Sequence, residues 1–321
     1  METKNLPVKL LRSLASGRES AIFLALVLIM AAITAFAPNF LGGENLYLVS
    51  RQISFVAIVA IGELFVILTG GIDLSVGSVM GLAGVAAAGA MKYGFDPVAA
   101  TVFGLVVGLA IGAINGALIA YVRIAPFIVT LAMLSFARGL ILILTEGWPI
   151  TKIAKSFLPI GQGHFLALPI PLWIMLIVSV IAWFVLTKTA FGRRTYAIGG
   201  NEQATFLSGI NVKSITFRLY MISALCAALV GVILVARFNS AQADTGTGWE
   251  LDAIAAAVIG GTSLMGGAGS VVGVLIGAAI MGVIRNGLVL MMVSPYYQTA
   301  VIGVIIVLAA VLDRVKSSRQ A

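Results

Sequence analysis

From residue 97 to residue 122 the chain runs without a single Asp, Glu, Lys or Arg. Coiled as an α-helix at roughly 1.5 Å per residue, such a run is longer than the ~30 Å hydrocarbon layer of a bilayer is thick. Similar apolar runs recur along the whole sequence, separated only by short polar or glycine-bearing turns. In hydrocarbon every backbone N–H and C=O must be satisfied within the protein, so runs of this kind read as helices. The expected fold class is all-α: a polytopic membrane protein of about ten transmembrane helices, some broken by glycine-rich segments. Composition agrees, with 60% hydrophobic and 10% charged residues among 321, which excludes a soluble globular domain. The spans are expected near 20–37, 46–69, 75–91, from 97 onward, 126–145, 171–187, 219–236, two glycine-broken stretches after 253, and 296–312. Residues 35–37, Ala-Phe-Ala, also resemble a signal-peptidase site. The apolar run before them has the length of a span and exceeds a typical leader core, so an uncleaved first helix is the preferred reading.

Several chemistries lack the parts they need. Cys226 is the one cysteine and His164 the one histidine. No intrachain disulfide, Cys-based metal site, Ser/His pair or Cys/His pair can be assembled from them, so no catalytic and no metal residues are assigned. The phosphate-cradling pattern G-x-x-x-x-G-K-[ST] does not occur, so no cofactor is assigned to this chain, and an ATP-driven process would need its ATPase on another polypeptide. A net charge of +8 suggests nucleic acid in a soluble protein. Here the basic residues mark helix ends, and no cluster is dense enough to argue for nucleic acid.

Those basic residues set the orientation. Lys4, Lys9, Arg12, Arg18, Arg123, Lys188, Arg193, Arg194, Lys213, Arg218, Arg314, Lys316 and Arg319 all fall on one side of a ten-span arrangement. Lys92, Lys152, Lys155 and Arg237 fall on the other. Positive charge collects in the cytoplasm, so both termini are expected inside. Arg51, Arg138 and Arg285 remain in or near hydrocarbon, where an internal partner is required.

The longest polar interruption, residues 188–218, carries five basic residues against the single acid Glu202 and so belongs to the cytoplasmic side. Gly199-Gly200 reads as a turn, Asn201 as an N-cap, Glu202 as a first-turn anion, and Gly209 as the residue that closes the helix. Ala204, Leu207 and Phe206 supply apolar contacts, and Ser208 precedes the closing glycine. A helix of about two turns is not stable alone in water, so it must either lie on the membrane surface or dock against another body.

A second interruption, residues 70–78, puts two glycines, Asp73, Ser75 and Ser78 between apolar helices. Such a break must lie within protein or along a watered path. Asp73 or Ser75 is expected either to cap the following helix or to line the route of a hydroxyl-rich solute. Glu63 is a pathway acid or a helix-pairing group, and Asn115 adds a polar side chain on the fourth span. Gly104, Gly108, Gly112 and Gly116 repeat every fourth residue and place a smooth stripe on one helix face for close packing. Gly269, Gly273 and Gly277 form a second stripe. The glycine pairs 70–71 and 260–261, in similar surroundings, hint at a duplicated architecture.

Three motifs together are similar to one family. GGIDLSVGS (70–78), GGNEQATFLSGINV (199–212) and ELDAIAAAVIGGTSLMGGAGSVVG (250–273) resemble the permeases of ribose-type monosaccharide ABC importers, the carbohydrate uptake transporter 2 family, and the likeness runs from the second span to the tenth. The middle motif resembles the coupling loop of such permeases, whose short helix seats in a cleft of a separate ATPase. The resemblance implies an ABC ATPase partner holding ATP and Mg, an extracytoplasmic sugar-binding protein, a second permease copy in a homodimer, and alternating access. It implies a permease and not an enzyme, in the bacterial inner membrane among its lipids. On this reading residues 1–19 are a cytoplasmic segment, 20–312 the permease domain with coupling loop 188–218, and 313–321 a cytoplasmic tail. The coupling residues are Asn201, Glu202, Ala204, Leu207, Ser208 and Gly209. An ion- or proton-coupled carrier using Glu63 and Asp73 is the alternative, and it does not call for a docking helix. An intramembrane enzyme has no paired catalytic groups to stand on.

Overall fold

The structure is a computed structural model describing residues 18–294 together with residues 296, 297, 300, 303, 304 and 307. Among the described residues the regular structure is helical apart from a minimal hairpin pairing His164–Phe165 with Leu168–Pro169. In chain order the principal helices are α1 (Arg18–Phe36), α2 (Gly43–Ile67), α3 (Val76–Lys92), α4 (Pro97–Ala120), α5 (Pro126–Thr145), α6 (Ile170–Lys188), α7 (Ala190–Gly200), α8 (Glu202–Leu207), α9 (Val212–Phe238), α10 (Trp249–Ile259) and α11 (Val271–Leu290).

Seven of these, α1, α2, α4, α5, α6, α9 and α11, are long and apolar enough to cross a membrane. The expected third and eighth spans are shorter helices: α3 has 17 residues and α10 has 11. The expected tenth span at 296–312 lies largely outside the described residues. The seventh begins earlier than hydropathy suggests, because Asn211 caps α9 by accepting from the amide of Ser214 at 3.0 Å and so starts the helix at Val212. Likewise Asp96 caps α4 through the amides of Val98 and Ala99, with Pro97 in the first turn where its missing N–H costs nothing.

Burial sorts the helices. The most apolar window of α2 is 83% buried and that of α9 is 72% buried, whereas α1 reaches 11%. The core is therefore built around α2 and α9, and α1 leaves an apolar flank outward. The glycines of α4 run antiparallel to α9. A side chain at Gly112 would stand 2.6 Å from the Ala224 Cβ, and one at Gly116 would stand 2.6 Å from the Phe217 carbonyl; Gly108 meets Ala228, and Gly104 meets both Ala83 of α3 and Val232. Each four-residue step along α4 matches about one turn of α9, which is how two backbones come close without a side chain between them. Gly273 and Gly277 of α11 face Gly260 and Ala256 of α10 in the same manner.

The bundle has two distinguishable ends. At one, the Gly267 amide donates to the Leu68 carbonyl at 2.9 Å and Tyr196 of α7 donates to the Gly269 carbonyl at 2.8 Å. At the other, Gln162 donates to the carbonyls of Ala236 and Arg237, and Ile150 pairs with Ala241. The two short helices α3 and α10 meet at their starts, where Gly77 packs directly on Gly246.

Candidate functional site

The docking candidate begins where α6 ends. Thr189 caps α7 by accepting from the Gly192 amide, and Thr195 and Ile198 bury one face of that helix. The sequence reading took Gly199-Gly200 as a turn, but α7 continues through both. Gly199 lies so close to the Leu68 carbonyl and the Gly267 amide that any side chain would collide. The glycine is there for contact, not for chain reversal. The spacing of Gly192, Thr195, Ile198 and Gly199 on one face is the helical signal that was available. Burial holds the Tyr196 phenol above its ordinary range, so it remains a donor to Gly269.

After α7, Asn201 takes an extended conformation, and its side-chain oxygen accepts from the Ala204 amide at 2.8 Å. Glu202 occupies the first turn of α8, and Ser208 donates back to the Ala204 carbonyl at 2.9 Å. Gly209 ends the turn at φ +79°, a left-handed conformation that suits glycine. Of residues 201–209 only Thr205 is buried; Phe206 and Leu207 are 64% and 77% exposed. The six coupling candidates thus lie on one short, capped, outward-facing element whose apolar side chains Phe206 and Leu207 are mostly exposed.

The second site is the break at residues 68–75. Glu63, Asp73, Ser75 and Asn115, four residues chosen from sequence as pathway candidates, come together and are all fully buried. Glu63 accepts from the Asp73 amide at 2.9 Å. One Asp73 oxygen accepts from the Ser75 amide at 3.0 Å and its hydroxyl at 2.6 Å; the other accepts from Ser223 of α9 at 3.0 Å. Asn115 donates to the Ser75 hydroxyl at 2.9 Å. Asp73, rather than Ser75, supplies the side-chain acceptor at the entry to α3. Glu63 Oε2, Asn115 Oδ1 and the Tyr220 hydroxyl are buried without a partner among the described residues. Ser223 and Tyr220 were missed from sequence, since nothing local marks a serine or tyrosine in an apolar helix as facing a break 150 residues away.

The three intramembrane arginines find different surroundings. Arg285 of α11 pairs with buried Asp252 of α10 at 2.8 Å. Arg51 lies over the Tyr47 ring, 5.4 Å from its centre. Arg138 of α5 donates to the carbonyls of Ala243 at 2.8 Å and Thr245 at 3.0 Å, pinning the segment between α9 and α10. From sequence, the polar residues 237–253 read as a stretch on the outer side of the membrane. It instead folds back until Thr245 meets Gly81 and Gly246 meets Gly77.

Comparison with known proteins gives a consistent result. Residues 45–310 match the family described as branched-chain amino acid transport system / permease component. The ribose import permease protein RbsC of Bacillus subtilis (strain 168) is 47% identical over 298 residues, 92% of each chain. The Escherichia coli (strain K12) ribose import permease protein RbsC is 46% identical over 93% of this chain and 94% of its own. The D-allose transport system permease protein AlsC of the same strain is 40% identical over 92% of this chain and 91% of its own. No solved structure matches.

Proposed function

The chain belongs to the family of branched-chain amino acid transport system permease components, and on that footing we propose that it carries ribose or a similar monosaccharide into the cytoplasm. It is a membrane permease subunit of a sugar ABC importer, a transport component and not an enzyme, and a multi-pass inner-membrane protein. Such permeases work with an ATPase and a binding protein. The ATPase supplies ATP and Mg chemistry, and the binding protein delivers sugar from outside.

The observation that carries the proposed mechanism is the exposure of α8. A six-residue helix with its own cap and two largely exposed apolar side chains has the form of an insert for a cleft in another protein. We assign Asn201, Glu202, Ala204, Leu207, Ser208 and Gly209 to ATPase coupling. Closure of the ATPases pushes α8; α7 passes the push to the Leu68 and Gly267 turns at the ends of α2 and α10. Relative motion of these helices then opens one face of the permease and closes the other. A homodimer of permeases supplies the two halves of the route. Both termini, residues 1–19 and 313–321, and the loop 188–218 lie in the cytoplasm on this reading, supported by the distribution of Lys and Arg.

The test is uptake of labelled D-ribose into proteoliposomes containing this chain, its ATPase and its binding protein. Uptake that requires ATP and both partners is expected. Uptake by this chain alone on an ion gradient would overturn the reading.

A further inference from the structure

Although the segment 239–248 joins two helices near the outer end of the bundle, it does not stay there. Gly246 packs on Gly77, which lies fourteen residues below Met91 near the end of α3, a depth of about 21 Å at ~1.5 Å per residue. Thr245 packs on Gly81, some four residues higher. The segment therefore reaches the middle of a ~30 Å hydrocarbon layer. Asp244 and Thr247, beside this contact, are exposed and Glu250 is half-buried, while Gln242, next to the Ala241 bridge at the outer end, is exposed at the mouth of the descent. The Gln242 and Asp244 side chains make no hydrogen bond among the described residues, and Thr247 donates to the Asp244 carbonyl at 2.7 Å. Arg138 is the cation facing Asp244 and Glu250, and its guanidinium is committed to the Ala243 and Thr245 carbonyls.

Irregular backbone and exposed carboxylates do not face lipid in the hydrocarbon layer; they line water or lie in protein. A dry contact would strand two carboxylates against one guanidinium, whereas a watered face leaves them solvated. We infer that Gln242, Asp244, Thr247 and Glu250 form the solute-facing wall of the translocation route, held in shape by Arg138. The wall presents carboxylate and amide acceptors with amide and hydroxyl donors, the set that pairs with the hydroxyls of a sugar in passing. It is distinct from the buried Glu63–Asp73 knot. It also has a mechanical connection: α10 starts at this wall and ends at Gly260, beside the Gly267 turn on which α7 sits. A push at α8 therefore reaches the wall through one short rod.

This inference rests on the chain being a sugar importer's permease, and the experiment separates the two. Cys226 is the sole cysteine, so a Cys226→Ala chain accepts single cysteines at Gln242, Thr247 and, as a control on an exposed apolar face at similar depth, Val180. The probe is a charged, membrane-impermeant methanethiosulfonate, applied to proteoliposomes containing the full chain with its ATPase and binding protein. Gln242→Cys and Thr247→Cys are expected to label at least about tenfold faster than Val180→Cys. Labelling at Thr247→Cys is expected to cut ATP-driven D-ribose uptake by about tenfold or more relative to the same unlabelled chain. Thr247→Cys labelling as slowly as the control would overturn the inference. Unchanged uptake after full labelling would do the same. Absence of ATP-driven uptake by the Cys226→Ala chain would count against the importer reading, while the labelling rates still decide whether the face is wet.

Discussion

The backbone amide of Gly267 donates to the carbonyl of Leu68 at 2.9 Å, and Gly199 packs against that same pair. Three segments distant in sequence, the end of α2, the turn after α10 and the last residues of α7, thus share one point of contact. In the coupling mechanism proposed above, that contact is where a movement of the exposed α8 would enter the bundle.

Replacing Gly199 with Val puts a branched side chain into this contact. Overpacking of this kind costs about 1–3 kcal/mol. Lost coupling is the expected outcome: the ATPase still binds, but its hydrolysis no longer tracks D-ribose uptake. Normal uptake per ATP would show that the contact does not transmit force.

Phe206→Ser with Leu207→Ser removes apolar surface that is exposed in the isolated chain. Each side chain buried against a partner is worth about 1.5–3 kcal/mol. Co-purification of the ATPase should fall by at least about tenfold, while the thermal midpoint of the permease alone in detergent stays put. Retained association would remove α8 from the interface. Glu202→Lys should act in the same direction more weakly, since an anion at a helix N-terminus contributes about 0.3–1 kcal/mol.

Asp73→Ala strips the acceptor from the Ser75 amide and from the hydroxyls of Ser75 and Ser223. Leaving buried donors unpaired costs about 1–3 kcal/mol for each group that finds no substitute. A clear drop in the thermal midpoint is expected, with Asp73→Asn falling in between. A wild-type midpoint for Asp73→Ala would mean that the break at 68–75 does not depend on this knot.

Gly108→Leu and Gly112→Leu should each lower stability by about 1–3 kcal/mol or more, because α4 and α9 touch there through backbone and alanine methyls. Gly139→Ala, on α5 with open space around it, is the control and should change little. Equal midpoints for all three would rule out the close α4–α9 packing.

Arg285→Met leaves Asp252 buried and unpaired, a loss of about 3–5 kcal/mol, whereas the double change Arg285→Met with Asp252→Leu should recover most of it. Unfolding in detergent across the four chains of this cycle reads the coupling. Additive losses would mean that the 2.8 Å pair contributes nothing as a pair.

Much of this protein follows from near neighbours in sequence. The charge-free run at 97–122 dictates a lipid-embedded helix, Asp96-Pro97 starts it, and Asn201 with Gly209 bounds α8, because hydropathy, capping and turn conformation act over a few residues. The helical course of α7 through Gly199-Gly200 is signalled only by the spacing of Gly192, Thr195 and Ile198, against a glycine pair that reads locally as a turn; why glycine stands there is explained by the Leu68 carbonyl alone. The depth of residues 239–248 was not legible: small and polar residues after a helix look like an ordinary outside loop. Their place beside Gly77 and Gly81 is decided by α3, which offers those glycines, and by Arg138 of α5, which holds the Ala243 and Thr245 carbonyls. Sequence alone determined which segments leave water and which residues bound them. Only the tertiary structure decided which glycines touch, that Ser223 serves Asp73, and which polar side chains stand exposed at mid-depth, because those outcomes depend on contacts between segments whose separation in sequence carries no local signal.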